Sequence, residues 1–184
     1  MQTKFLTGLL LLSSLLLVSF KHTSVRSTKH SKFNNQPNGT VYLIIDKTDY
    51  ELSVYDDDGW FATYPVVFGN KVLTDKLMEG DKKTPEGSFK ILSKRVHDKW
   101  HRMFLLDFPN KESWDKFKQR KAAGIIPANA KIGNGIAIHG TWPNDDIVVD
   151  TYTNWTNGCI SLRNDDIDEL NEILKVGSKV IIRY

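Results

Sequence analysis

The chain has one cysteine, Cys159, in 184 residues. No internal disulfide can form, so the fold depends on its core alone. A lone cysteine in an exported chain is either a site of intermolecular pairing or a free reactive thiol. Long apolar runs are also scarce. The only one, Phe5 to Phe20, is shorter than the ~20 residues that span a bilayer comfortably. Lys4 precedes it, and this arrangement reads as a secretory signal peptide over residues 1–20. A retained membrane anchor is the alternative, because no A-x-A-like cleavage site follows and the next stretch, KHTSVRSTKHSK, is basic. Positive charge there opposes export of that side. No cysteine follows the run, which excludes a lipid-anchored lipoprotein. The expected location is the periplasm or cell envelope.

Acidic charge is absent from the first 40 residues, which hold five Lys or Arg. This hides the character of the rest. The formal charge is +3 overall, but residues 41–184 carry 20 basic and 22 acidic side chains, or −2. No basic face of the kind nucleic acid requires is available. Internal repeats are absent as well. Residues 21–40 are rich in Lys, Ser, Thr and Asn and end in Gln-Pro-Asn-Gly, the composition of a flexible tether.

From Val41 onward, strand patterns dominate. VYLIID (41–46) is β-branched and aromatic. YELSVYDDDGW (50–60) reads as a hairpin around Asp56 to Asp58, whose spacing is that of a turn rather than a calcium loop. FATYPVVFG (61–69) is a strand that Pro65 confines to an edge or irregular position. Further strands are predicted at 87–96, 102–108, 135–140 and 178–184. Helices are predicted over 110–124, closed by Gly124, and over 164–177. In the second, Asn164 is the expected cap, Asp165 and Asp166 favour the positive end, and Ile167, Leu170, Ile173 and Leu174 line one face. The sum is an α+β domain over 41–184, mainly β, with packed sheets and peripheral helices.

A thiol nucleophile needs a base or a positive neighbour, because a free cysteine is mostly protonated near neutrality. It also needs donors aimed at the developing oxyanion. Gly158 precedes Cys159, and the helix near Asn164 follows closely, so its dipole would favour thiolate. His139 ends the GIAIHG strand and is followed by Gly140, a placement that projects it into a cleft. From residue types alone, the competing reading is a small buried Cys159 and a core His139.

The order of several motifs favours chemistry. The region contains Ile138-His139-Gly140-Thr141, then residues 142–155, then Thr156-Asn157-Gly158-Cys159-Ile160. Upstream lie Tyr64-Pro65-Val66-Val67-Phe68-Gly69, Thr84-Pro85-Glu86-Gly87-Ser88-Phe89 and Leu106-Asp107-Phe108-Pro109-Asn110. In this order they resemble the L,D-transpeptidase catalytic domain, the YkuD-type family of bacterial cell-wall enzymes, over about 41–184. The resemblance implies a β-sandwich of mixed sheets. It implies Cys159 as nucleophile, His139 as proton acceptor and donor, and no metal or cofactor. It implies peptidoglycan stem tetrapeptides as substrate, an acyl-enzyme on Cys159, and 3–3 cross-links or attachment of another amine, such as a wall-protein lysine. Water as acceptor would give an L,D-carboxypeptidase or wall hydrolase. A non-catalytic wall-binding module is the alternative from another class.

The resemblance also places Thr156, Asn157 and Gly158 at the substrate, with the N–H groups of Gly158 and Cys159 as oxyanion donors. Asn157 stands where many members have histidine, and Ser161 where members often have arginine. Arg163 is the nearest cation for a substrate carboxylate. The group that orients His139 is open between Asp145, Asp146, Asp150 and a backbone carbonyl. Trp142, Tyr152 and Trp155 would wall a groove or pin the intervening loop. His97 and His101 have the i, i+4 spacing of a zinc helix, but the polar segment between them reads as a solvated loop.

Overall fold

A computed structural model describes residues 36–184. The expected leader, 1–20, and most of the tether lie outside the described residues. No helix among the described residues is long and apolar enough to cross a membrane.

Strand β1 (Tyr42–Asp46) and β2 (Glu51–Asp56) alternate buried and half-buried positions. Leu43, Ile45, Leu52 and Val54 are fully buried on one face. Burying each such side chain contributes about 1.5–3 kcal/mol. β3 (Gly59–Pro65) completes a meander with β2. It is the edge strand, and Pro65 is its last residue, where a missing N–H costs no ladder bond. Trp60 stays 64% exposed on this edge, unlike Leu52 and Val54.

β4 (Gly87–His97) is the longest strand. Its first residues, Gly87 to Lys90, pair with β8 (Lys179–Arg183), and Ile91 to His97 pair with β5 (His101–Leu106). One strand thus serves two parts of the sheet in succession, with an irregularity between Ile91 and Ser93 at the change. Past it, β4 projects beyond the core, which leaves Val96 70% exposed. β6 (Ala137–His139) and β7 (Ile160–Ser161) finish the order β3-β2-β1-β8-β4-β5-β6-β7. The β1–β8 and β6–β7 pairs are parallel and the others antiparallel, so the sheet is mixed.

Among the described residues three helices accompany it: α1 (Lys111–Ala122), the single turn α2 (Ile147–Asp150) and α3 (Asn164–Ile173). Asn110 caps α1 by accepting from Ser113 N at 3.0 Å, a bond worth about 1 kcal/mol. Gly124 follows in a left-handed conformation (φ +68°), which glycine tolerates without a Cβ clash. α3 buries Ile167, Leu170 and Ile173 against the core. Its expected cap is not used. Arg163 occupies the cap position without capping α3 through its side chain, while Asn164 Oδ1 accepts from Thr141 N at 3.0 Å. Asn164 is already helical, so its amide is free to tie α3 to the residues after β6.

Candidate active site

His139 closes β6 and is 1% exposed. In the parallel β6–β7 ladder it is the register partner of Ser161, and Ile138 is the partner of Ile160. Side chains alternate faces along a strand. Cys159, one residue before β7, therefore lies on the same face as His139, two positions back. Strand pairing between segments 20 residues apart places Cys159 and His139 on one face, two register positions apart.

The His139 ring is held from several sides. Its Nδ1 lies 2.7 Å from Gly140 O. A carbonyl only accepts, so Nδ1 carries the proton and Nε2 presents its lone pair. A backbone carbonyl orients the imidazole, and the three aspartates do other things. Asp146 accepts from the Thr141 hydroxyl and from Asn164 N. Asp150 pairs with Arg163. Asp145 N–H donates to Trp142 O.

Aromatic rings enclose the imidazole. Trp100 stacks on it with centroids 4.7 Å apart and planes 22° apart. Trp155 meets it edge-on at 5.5 Å and 74°. Trp142 packs edge-on against Trp100 at 6.5 Å, whereas Tyr152 turns to Tyr50. Of the three loop aromatics singled out in the sequence, Trp155 touches His139. Trp100, which contributes most, was read as part of a solvated loop. It sits at the β4–β5 hairpin turn. His97 stacks on its other face at 4.4 Å, and His97 Nδ1 accepts from Lys99 N and Trp100 N. His101 instead pairs with Asp168. A tryptophan in an otherwise polar turn was the available signal.

Burial sets the resting charges. It lowers the His139 pKa to about 4, opposed by the Gly140 carbonyl and aided by the His97 charge. It raises the Cys159 thiol, and a backbone hydrogen bond at Ala137 and the Lys76 charge only partly oppose that. The thiol points to Gly135 O at 3.5 Å. Both shifts favour the neutral forms, thiol and imidazole.

The loop before β7 is tied down closely. Val67 and Ser161 exchange backbone bonds at 3.0 and 2.9 Å, and Phe68 N donates to Asn154 Oδ1 at 2.8 Å. The Thr156 hydroxyl donates to Cys159 O at 2.7 Å and accepts from Gly158 N at 3.2 Å. The Gly158 N–H is thus engaged inside the loop. Asn157 is exposed. The Arg163 guanidinium is held by Asp150.

The family model described as the L,D-transpeptidase catalytic domain (YkuD) matches residues 40–182. The chain belongs to the L,D-transpeptidase family. A Bacillus subtilis (strain 168) protein named "Putative L,D-transpeptidase YqjB" is 29% identical over 148 residues, covering 78% of this chain and 72% of that one. The helical cell shape determining protein Pgp2 of Campylobacter jejuni is 26% identical with a TM-score of 0.57. It matches 78% of this chain and 47% of its own. Bd1075 of Bdellovibrio bacteriovorus, at 23% identity and TM-score 0.56, covers 79% and 48% and shares the fold. The chain spans about half the length of those two structures. L,D-transpeptidase domains take peptidoglycan peptides and act on the wall outside the cytoplasm.

Proposed function

We propose that the chain is a cysteine-dependent L,D-transpeptidase acting on peptidoglycan stem tetrapeptides. One observation carries this reading. Cys159 and His139 share a face at the β6–β7 ladder, with His139 Nδ1 committed to Gly140 O and Nε2 left as acceptor.

Cys159 Sγ attacks the carbonyl between the third and fourth stem residues as Nε2 takes the thiol proton. The C–N bond breaks, His139 returns the proton to the leaving amine, and D-alanine departs. A thioester remains on Cys159. The side-chain amine of a neighbouring stem attacks it, loses a proton to His139, and a 3–3 cross-link forms. A wall-protein lysine would react in the same way, and water would give a tripeptide. Proton transfer during attack suits a neutral pair, since neither group is charged beforehand. The residues before 40 serve export or tethering in this reading. The likeness to a cell shape determining protein supports a wall substrate.

The test uses the full-length chain and its Cys159→Ala variant with disaccharide-tetrapeptide, following protein and product masses together. A Cys159-dependent adduct with dimers is the expected result. Tripeptide without dimers would replace transfer with hydrolysis. No adduct and no product from either protein would leave a wall-binding module instead.

A further inference from the structure

We infer that Thr84 positions the oxyanion-stabilising peptide of this site. The inference rests on the proposal that Cys159 is acylated. Thr84 is 3% exposed, and its hydroxyl donates to Gly158 O at 3.0 Å. That carbonyl belongs to the peptide whose N–H is Cys159 N. A trans peptide directs its C=O and N–H oppositely. Holding the Gly158 oxygen against Thr84 therefore turns the Cys159 N–H to the other side.

The two polar backbone groups flanking this peptide are occupied. The Thr156 hydroxyl takes both Gly158 N–H and Cys159 O. The Cys159 N–H has no protein partner among the described residues. It is the remaining donor beside the nucleophile, where a tetrahedral intermediate would place its negative oxygen.

Thr84 is itself anchored. Lys47, 1% exposed, reaches Thr84 O at 3.4 Å and pairs with Glu86 at 2.6 Å. Gly158 allows the approach. Its φ of +122° is a glycine conformation, and a Cβ there would lie 2.7 Å from Lys83 O. The Thr-Pro-Glu-Gly turn and the Gly-Cys pair thus form one unit, 74 residues apart in sequence.

The test compares two reactions of the same thiol. Iodoacetamide alkylates it without forming an oxyanion. p-Nitrophenyl acetate acylates it through one. In full-length Thr84→Val, alkylation is expected to stay within about twofold of wild type. Acylation is expected to fall about tenfold or more, against the 10²–10³-fold seen when such a donor is removed outright. Thr84→Ser, which keeps the hydroxyl, is expected to recover most of the rate. Thr84→Ala carries the same comparison should the valine variant not fold. Equal loss of both reactions, or loss of neither, would overturn the inference. So would wild type that alkylates but does not acylate with the ester. Wild type that acylates with the ester and not with the stem tetrapeptide would remove the proposed substrate while leaving Thr84 tested.

Discussion

The Trp100 indole lies nearly parallel to the His139 imidazole, 4.7 Å away. His97 covers the opposite indole face at 4.4 Å. The three rings make a short stack from the hairpin surface to the buried imidazole. Gly140 N–H locks the hairpin in place, donating to Trp100 O and Arg102 O, each at 3.1 Å. Under the proposed mechanism Trp100 positions the base by covering one face of the imidazole.

Removal of Trp100 is expected to move the acid limb of acylation. With the ring covered, His139 titrates near 4 because burial disfavours its charged form. Trp100→Ala admits water and should shift the limb upward toward the usual histidine value of about 6.5. Trp100→Phe, which keeps a stacked ring, should leave it close to wild type. The pH dependence of thioester formation measures this. An unmoved limb in the alanine variant would assign the low pKa to other neighbours.

The same shift appears in stability with a definite sign. The folded pKa of His139 lies below its unfolded value, so the unfolded chain binds more protons between the two. Stability is then fully present above about pH 6.5 and is lost as pH falls toward 4. The share is on the order of 3 kcal/mol. Urea midpoints at pH 7 and pH 4.5 should differ less for His139→Asn than for wild type. Equal differences would contradict the assignment.

Gly158→Ala is expected to damage both stability and acylation. A residue with a Cβ is strained at φ +122°, and the added carbon meets Lys83 O at 2.7 Å. A cost of about 1–3 kcal/mol is expected. At roughly 2–4 °C per kcal/mol for a chain of this size, the melting temperature should drop by several degrees. Thermal denaturation reads the first effect and p-nitrophenyl acetate the second.

Asn164→Ala should cost about 1 kcal/mol with little change in helix content. Asn164 bonds to Thr141 N rather than capping α3. Urea unfolding gives the loss, and far-ultraviolet circular dichroism the helicity. A large drop in helical signal would restore the capping role.

Much of the fold was legible because its signals are local. The β-branched and aromatic run at 41–46 and the hairpin pattern at 50–60 were read as strands, and both are strands with one buried face. Ile167, Leu170 and Ile173 lie on the buried side of α3 as their spacing requires. Pro65 marked an edge strand because it has no N–H to give. The errors fall where a distant partner competes. Asn164 is a good cap by type, but Thr141 takes its oxygen.

The sequence by itself determined the candidate reacting groups. One thiol and one histidine stand in an ordered set of motifs, and those are properties of residue type and spacing. Only the tertiary structure decided how they are held. Gly140 O orients the imidazole, Trp100 covers it, and Thr84 grips the peptide of Cys159. Backbone carbonyls are the same at every residue and leave no mark in a sequence. Contacts between segments tens of residues apart exist only once the strands have paired. The pKa shifts follow from the same cause. Burial reinforces the neutral forms, lowering the His139 pKa to about 4 and raising that of the Cys159 thiol.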